Sequence, residues 1–179
     1  MKYILNLFFL IGVVFSTYGQ VNYSINTMQT GIHTSNSNLV QTNQLTLIAS
    51  HKHSELSRNK AYELGKKVSI AVLDAGGQVL LISKGDHVGI HNTEAASRKA
   101  YTAVSTKTEI LILARNARSN PDTQNLANLP ELLLLGIGVP IYHNGKVIGA
   151  IGIAGGGSPE NDDLIGKAAR ILDADIIAK

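Results

Sequence analysis

Two stretches of this chain each hold a pair of apolar runs joined by a glycine turn, and they restrict the fold more than any other feature. Residues 68–86 read VSIAVLDAGGQVLLISKGD, with Ala75, Gly76 and Gly77 between the runs. Residues 140–156 read PIYHNGKVIGAIGIAGG and turn at Asn144 and Gly145. Asn-Gly supplies the positive backbone angles of a two-residue hairpin, and the β-branched residues on either side favour strands. Hairpin links make neighbouring strands antiparallel. Both halves of the first stretch are nearly continuous in apolar residues rather than alternating. That predicts strands covered on both faces, with helices lying over the sheet.

Helical signals fill the rest of the chain. Residues 46–64 open on Thr46, a good capping residue, and stop before Gly65. Ala49, Leu56, Ala61 and Leu64 share one face of that helix, and His53 falls on it. Residues 91–105 form a second helix with Asn92 or Thr93 as cap, and Ala96, Ala100 and Ala103 give it a smooth stripe suited to a close approach to a sheet. Residues 108–117 are also predicted helical, and the loop 120–130 carries proline near both ends. Strands follow at 132–135, 139–143 and 146–154. Ser158, Pro159 and Glu160 then open a last helix running to about residue 174. The order α-β-β-α-α-β-β-β-α predicts an α+β domain, a five-stranded antiparallel sheet flanked by helices.

The first 44 residues stand apart from this pattern. Lys2 precedes a 12-residue apolar run at 4–15, and small residues follow at Thr17 and Gly19. This predicts a secretory signal over residues 1–19, too short to span a membrane stably, and an exported protein, periplasmic or extracellular. The competing reading, a buried N-terminal helix, leaves the position of Lys2 and the small residues unexplained. Residues 20–44 are rich in Asn, Ser, Thr and Gln and read as a flexible polar leader, so the folded domain is expected at 45–179. No cysteine is present, so neither a disulfide nor a lipidated cysteine is possible. A net charge of +3 without any Lys/Arg run, 5% aromatics and no tryptophan argue against a nucleic-acid partner.

Five motifs in fixed order carry a family resemblance: Leu45 and Thr46 at a helix start, then VSIAVLDAGGQV, EAASRKAYTAVS, GVPIYHNGKVIGAIGIAGG and SPEND. Together they resemble the GlcG/HbpS-like heme-binding family, and the same domain resembles the C-terminal portion of PduO-type proteins. The likeness runs from Leu45 to about Leu172. It implies a profilin-like sandwich, self-assembly into a homo-oligomer, and binding of heme or a related tetrapyrrole. Secreted members resemble accessory proteins in heme and redox sensing. The alternative is a small-molecule enzyme on the same fold, although the chain has no G-x-S-x-G or H-E-x-x-H motif. One departure is visible. Ile137, between Gly136 and Gly138, stands where the family has a glycine, and its side chain is large enough to narrow a site or alter a subunit contact.

Heme iron takes histidine, cysteine, methionine or tyrosine as axial ligand. With cysteine absent, Met1 in the signal and Met28 in the leader, the candidates are His51, His53, His87, His91 and His143. His53 stands out because it interrupts an apolar helix face, with His51 as its neighbour; the plain alternative is a half-buried ring bonded to a backbone carbonyl. Arg98 and Lys99 are the expected partners of the heme propionates, with solvated surface charge as the alternative. His87, His91 and Glu94, near Asp86, have the nitrogen and oxygen chemistry of a site for iron or another transition metal, but Gly85 and Gly89 place them in a loop. That loop reads equally as mobile and polar. Gly155, Gly156 and Gly157 before a helix offer N–H groups to an anion, or simply a tight bend, since Glu160 and Asp162 oppose an anion there.

Overall fold

The computed structural model describes residues 38–179. The predicted signal segment, and the predicted leader up to residue 37, lie outside the described residues. Residues Val40–Lys179 make one compact unit. Its helices are α1 (Leu47–Glu63), α2 (His91–Thr106), α3 (Ile110–Ser119) and α4 (Pro159–Lys167). Its strands are β1 (Ser69–Asp74), β2 (Val79–Ser83), β3 (Ile137–His143), β4 (Lys146–Ala154), β5 (Arg170–Ile171) and β6 (Ile176–Ala178). All six pair antiparallel in the order β2-β1-β4-β3-β6-β5. No helix among the described residues is long and apolar enough to cross a membrane.

The two sheet faces differ in size, and that sets the layers. One face carries Ile70, Val72, Ile137, Val139, Ile151 and Ile153, which pack with Ala61 of α1 and Ile165 of α4. The other carries Ala71, Ala150, Gly152, Ala154 and Gly138, and α2 lies on it with Ala96, Ala100 and Ala103. Alanine against glycine allows near contact of backbones. A Cβ added at Gly152 would lie 2.0 Å from the Ala96 carbonyl oxygen, and one at Gly138 would lie 2.1 Å from that of Lys99. The alanine stripe thus serves as predicted, and for that reason it is spent inside the domain and offers no surface to a second copy.

The predicted α+β class stands, with differences in detail. Residues 132–135 form no strand. Their backbone groups are taken by α2 instead: Leu133 N–H donates to Thr102 Oγ1 at 2.8 Å, and the Leu132 carbonyl accepts from Arg98 at 3.1 Å. The last helix stops at Lys167 rather than near residue 174, and the β-branched pair Ile176 and Ile177 returns to add a strand beside β3. Arg170 and Ile171 pair with that strand in turn, so one expected strand is lost, two are gained, and the sheet has six strands and not five. β2 is an edge strand with Val79 and Ile82 in solvent, so only β1 of the first hairpin is covered on both faces.

Helix ends follow the sequence at two of three places. Thr46 Oγ1 accepts from Ala49 N–H at 3.1 Å, and Ser158 Oγ from Asn161 N–H at 3.2 Å. α2, however, begins at His91 with no side-chain cap, so neither Asn92 nor Thr93 has that role. Of the expected α1 face, His53 and Ala61 are buried while Ala49, Leu56 and Leu64 are only partly so, and Ser50, Ser54 and Ser57 complete the buried side. Serines are small enough to sit against the sheet, and Ser50 Oγ satisfies itself on the Leu47 carbonyl at 2.7 Å. Ile137 is fully buried in the larger core, on the face away from α2, so the departure from the family glycine is absorbed there.

Gly152→Ala should therefore drive α2 off the sheet and cost about 2–3 kcal/mol or more, because backbone and not a flexible side chain meets the new methyl. Gly76→Ala, whose Cβ would meet only Asp74 Oδ1 at 3.3 Å, should stay within about 1 kcal/mol of the parent. Urea unfolding of the two variants checks the contrast.

Candidate functional site

The close approach of α2 pushes one long side chain under the sheet end. Lys99 Nζ donates to the Ile153 carbonyl at 2.7 Å and to Asp162 Oδ2 at 2.9 Å, and both charged side chains are buried. Asp162 also accepts from Gly156 N–H through Oδ1 at 2.9 Å, while Asn161 Nδ2 donates to the Gly156 carbonyl at 2.9 Å. Gly136, at φ 72°, makes room for the ammonium: a Cβ there would lie 2.6 Å from Nζ. The charges neutralise each other, and hydrogen bonds fill most of their remaining valence, which is what a buried pair requires. An ammonium has three donors, so one N–H of Lys99 is left over for the cleft that it lines.

That cleft has a volume of about 340 Å³ and is walled by Asn92, Gly155, Gly157 and Ser158 beside the ion pair. Across Leu135, Gly136 and Pro159 it adjoins a second cleft of about 250 Å³, floored by Leu111, Ala114 and Leu134 and edged by Arg115, Arg118 and Glu160. The glycine run before α4 is therefore both a bend and an anion cradle, but the anion is internal. The Asp162 carboxylate holds the Gly156 amide.

His53 lies elsewhere, under α1. Its ring is fully buried, and Nδ1 sits 2.7 Å from the Ala49 carbonyl. A carbonyl only accepts, so the proton is on Nδ1 and Nε2 is a bare lone pair. Neither Nε2 nor Ser57 Oγ one turn later has a hydrogen-bond partner. Leaving one such atom unpaired costs about 1–3 kcal/mol. Burial pushes the His53 pKa below its ordinary 6.5, partly opposed by the bond to Ala49. Unlike the plain reading of the sequence, the ring is entirely rather than half buried, although the carbonyl bond is as that reading had it.

The other predicted residues scatter. His51 is exposed on the outer side of α1. His87, at φ 62°, and His91 and Glu94 are also exposed, and no three His, Asp or Glu side chains among the described residues converge on a point that could hold a metal ion. His143 is half-buried, with Nδ1 3.3 Å from the Asp175 carbonyl. Arg98 is committed to the carbonyls of Pro130, at 2.7 Å, and Leu132. Arg98 and Lys99, the expected propionate partners, are both bonded within the fold, so neither is a solvated surface charge. Asp162 and Gly136 were missed as partners of Lys99. Their signal was present in the SPEND motif and in the glycine pair around Ile137, but pairing across 63 residues has no local signature.

With this geometry in place the chain can be compared with known proteins. The family described as haem degrading protein HbpS-like matches residues 45–170. The chain belongs to the HbpS-like family. An uncharacterised 15.0 kDa protein from the dhaT-dhaS intergenic region of Citrobacter freundii is 34% identical over 128 residues, covering 70% of this chain and 89% of its own. The crystal structure of a double mutant of HbpS from Streptomyces reticuli is 32% identical, with a TM-score of 0.69 over 74% of this chain and 88% of that one. The crystal structure of a PduOC:heme complex is 26% identical, with a TM-score of 0.66 over 70% of this chain and 92% of that one. HbpS-like membership thus places the buried pair and both clefts within the matched region.

Two outcomes follow from the buried groups. Asp162→Ala strands the Lys99 ammonium and should cost about 3–5 kcal/mol, whereas Lys99→Met with Asp162→Leu should recover most of that loss; unfolding midpoints of the single and double variants decide it. For His53 the unfolded chain takes up a proton near pH 6.5 and the folded chain only at lower pH. Stability is thus full above about 6.5 and falls as pH drops below it, by up to about 1.4 kcal/mol per pH unit. His53→Gln should remove that part of the slope in urea titrations across the window.

Proposed function

We propose that this protein binds heme or a closely related tetrapyrrole. The observation that carries the reading is HbpS-like membership together with the heme complex of PduOC, a relative of the same fold. His53 fits the chemistry. A neutral imidazole whose Nδ1–H is held by a backbone carbonyl presents Nε2 to iron, the usual arrangement of a ligating histidine. When bound, heme would supply an iron centre, and the chain would supply the imidazole. Access to Nε2 requires α1 to lift. Its underside of Ser50, Ser54 and Ser57 gains little from apolar burial, which lowers the cost of that movement. His51, on the same helix and already exposed, is the second candidate.

The reading extends to an exported accessory protein, periplasmic or extracellular, acting in heme, iron or redox sensing, and the apolar run at residues 4–15 supports the export. It also extends to self-association. Exposed Leu47, Ile48 and Tyr62 on α1, with Val79 and Ile82 on the β2 edge, supply apolar surface that the α2 stripe does not. Sedimentation showing only monomer at micromolar concentration would remove that extension. The family's description favours one further reading, breakdown of the bound heme. Decay of the Soret band with iron release under a reductant and oxygen would select it.

Hemin titration is the direct test. A saturable Soret shift is expected, and no shift beyond nonspecific uptake would reject the proposal. His53→Ala should change the iron spin state and weaken binding, each tenfold loss being about 1.4 kcal/mol. His51→Ala should have an intermediate effect and His91→Ala little. If His91→Ala abolishes the spectrum while His53→Ala leaves it intact, the iron is held at the loop before α2 instead.

A further inference from the structure

We propose that the tetrapyrrole site is the interface between α1 and the strands beneath it, and that Arg58 is the latch that holds α1 over this site; this rests on the reading above and names where the ring enters and what opposes it. His53 lines neither cleft at the α4 end, nor a third of about 350 Å³ between the outer side of α1 and residues 170–173. Its ring is instead enclosed with Ser50, Ser54, Ser57 and Ala61 on the packed side of the helix. A ligand that reaches Nε2 must therefore enter between α1 and what α1 covers.

What α1 covers is flat and apolar. The strand register sets Ser83, Ile70 and Ile153 in one row across β2, β1 and β4, and Leu81, Val72 and Ile151 in the next. Directly paired residues point to the same face, here the face of the larger core. α1 lies on the β1 and β2 side of these rows, and α4 on the β4 and β3 side. The buried side chains of α1, Ala61 apart, are all polar, and His53 Nε2 and Ser57 Oγ find no partner there. Each forfeits the hydrogen bond that water would give it. Apolar rows on one side and an unpaired imidazole nitrogen on the other match a flat apolar ring that carries iron.

One side chain ties the two sides together. Arg58, half-buried on α1, donates through Nη2 to Ser83 Oγ at the end of the first row and through Nη1 to the Val68 carbonyl at 3.5 Å. Among the described residues these are the side-chain hydrogen bonds that leave α1 for another part of the chain. Lys52 and Asp173 also meet, at 3.9 Å, but both are exposed and such a pair contributes little. Past the helix, Gly65 at φ 64° has nothing within 4 Å of where a Cβ would stand, which leaves room for a pivot. The Arg58 bonds exist only while α1 is down. They therefore hold the empty protein shut and work against uptake.

Hydrogen exchange and hemin binding test this together. In the native chain without porphyrin, α1 amides should exchange faster than those of β1 and β4, because α1 opens on its own. Arg58→Gln should speed α1 exchange about tenfold, the loss of hydrogen bonds from a charged group, with β4 unchanged as the sign of an intact fold. Ser83→Ala should do the same to a smaller degree, since the Val68 carbonyl still holds the guanidinium. Both variants should take up hemin faster and more tightly than the native chain, Arg58→Gln by about tenfold, and bound hemin should alter exchange in α1, β1 and β2. Hemin uptake at the native rate and affinity in both variants, or exchange changes that leave out α1, overturns the latched site while heme binding stands. A native chain that takes up no hemin removes the tetrapyrrole reading and this site with it.

Discussion

Everything in this domain depends on how closely α2 lies on the sheet. Gly138 and Gly152 are direct partners across β3 and β4, and together they open a bare strip of backbone on one face. Alanines fill the facing side of α2, so helix and sheet meet almost without side chains between them. A methyl at either glycine would overlap a backbone carbonyl of α2, which is why neither position can carry one. The opposite face has the reverse character. Isoleucine and valine there keep α1 and α4 at ordinary distance and supply most of the apolar burial.

The tight side also makes the buried ion pair possible. Because the α2 backbone touches the strand, the Lys99 stem reaches beneath the end of β4 and delivers its ammonium to the Ile153 carbonyl and to Asp162. Asp162 in turn organises the glycine turn before α4. One salt bridge thus ties α2, β4 and α4 at a single point, and the clefts of the α4 end open beside it. A buried pair of this kind is a poor source of net stability. Its value here is position, because it fixes where α2, the end of β4 and the amino end of α4 stand relative to one another.

Much of the fold was legible because it rests on local chemistry. The Asn144-Gly145 turn, the Thr46 and Ser158 caps and the alanine periodicity of α2 each act within a few residues, and each gave the right element. The failures share a cause. Residues 132–135 have a strand-like composition, but Thr102 and Arg98 claimed their backbone groups from a helix about 30 residues away in the chain. The last helix was read too long because residues 168–174 carry no local stop signal, whereas Arg170 and Ile171 pair with Ile177 and Ile176 on the open flank of β3.

The sequence by itself determined the antiparallel hairpins, the helix starts, the alanine stripe and the likeness to the HbpS-like family, since all of these are written in residue types at short spacing. Tertiary structure decided which charges are free. Arg98 and Lys99 read from the sequence as propionate partners next to one another on a helix, and packing turned both inward onto partners between 32 and 63 residues away. Arg115 and Arg118 drew no notice in the sequence, and no acid among the described residues forms an ion pair with either. It decided the environment of His53 as well: the helix buried serines beside it, took the ring fully out of water and fixed its proton on Nδ1. Spacing along a chain sets which side chains share a face, but the identity of what lies opposite that face depends on contacts that only the folded chain brings together.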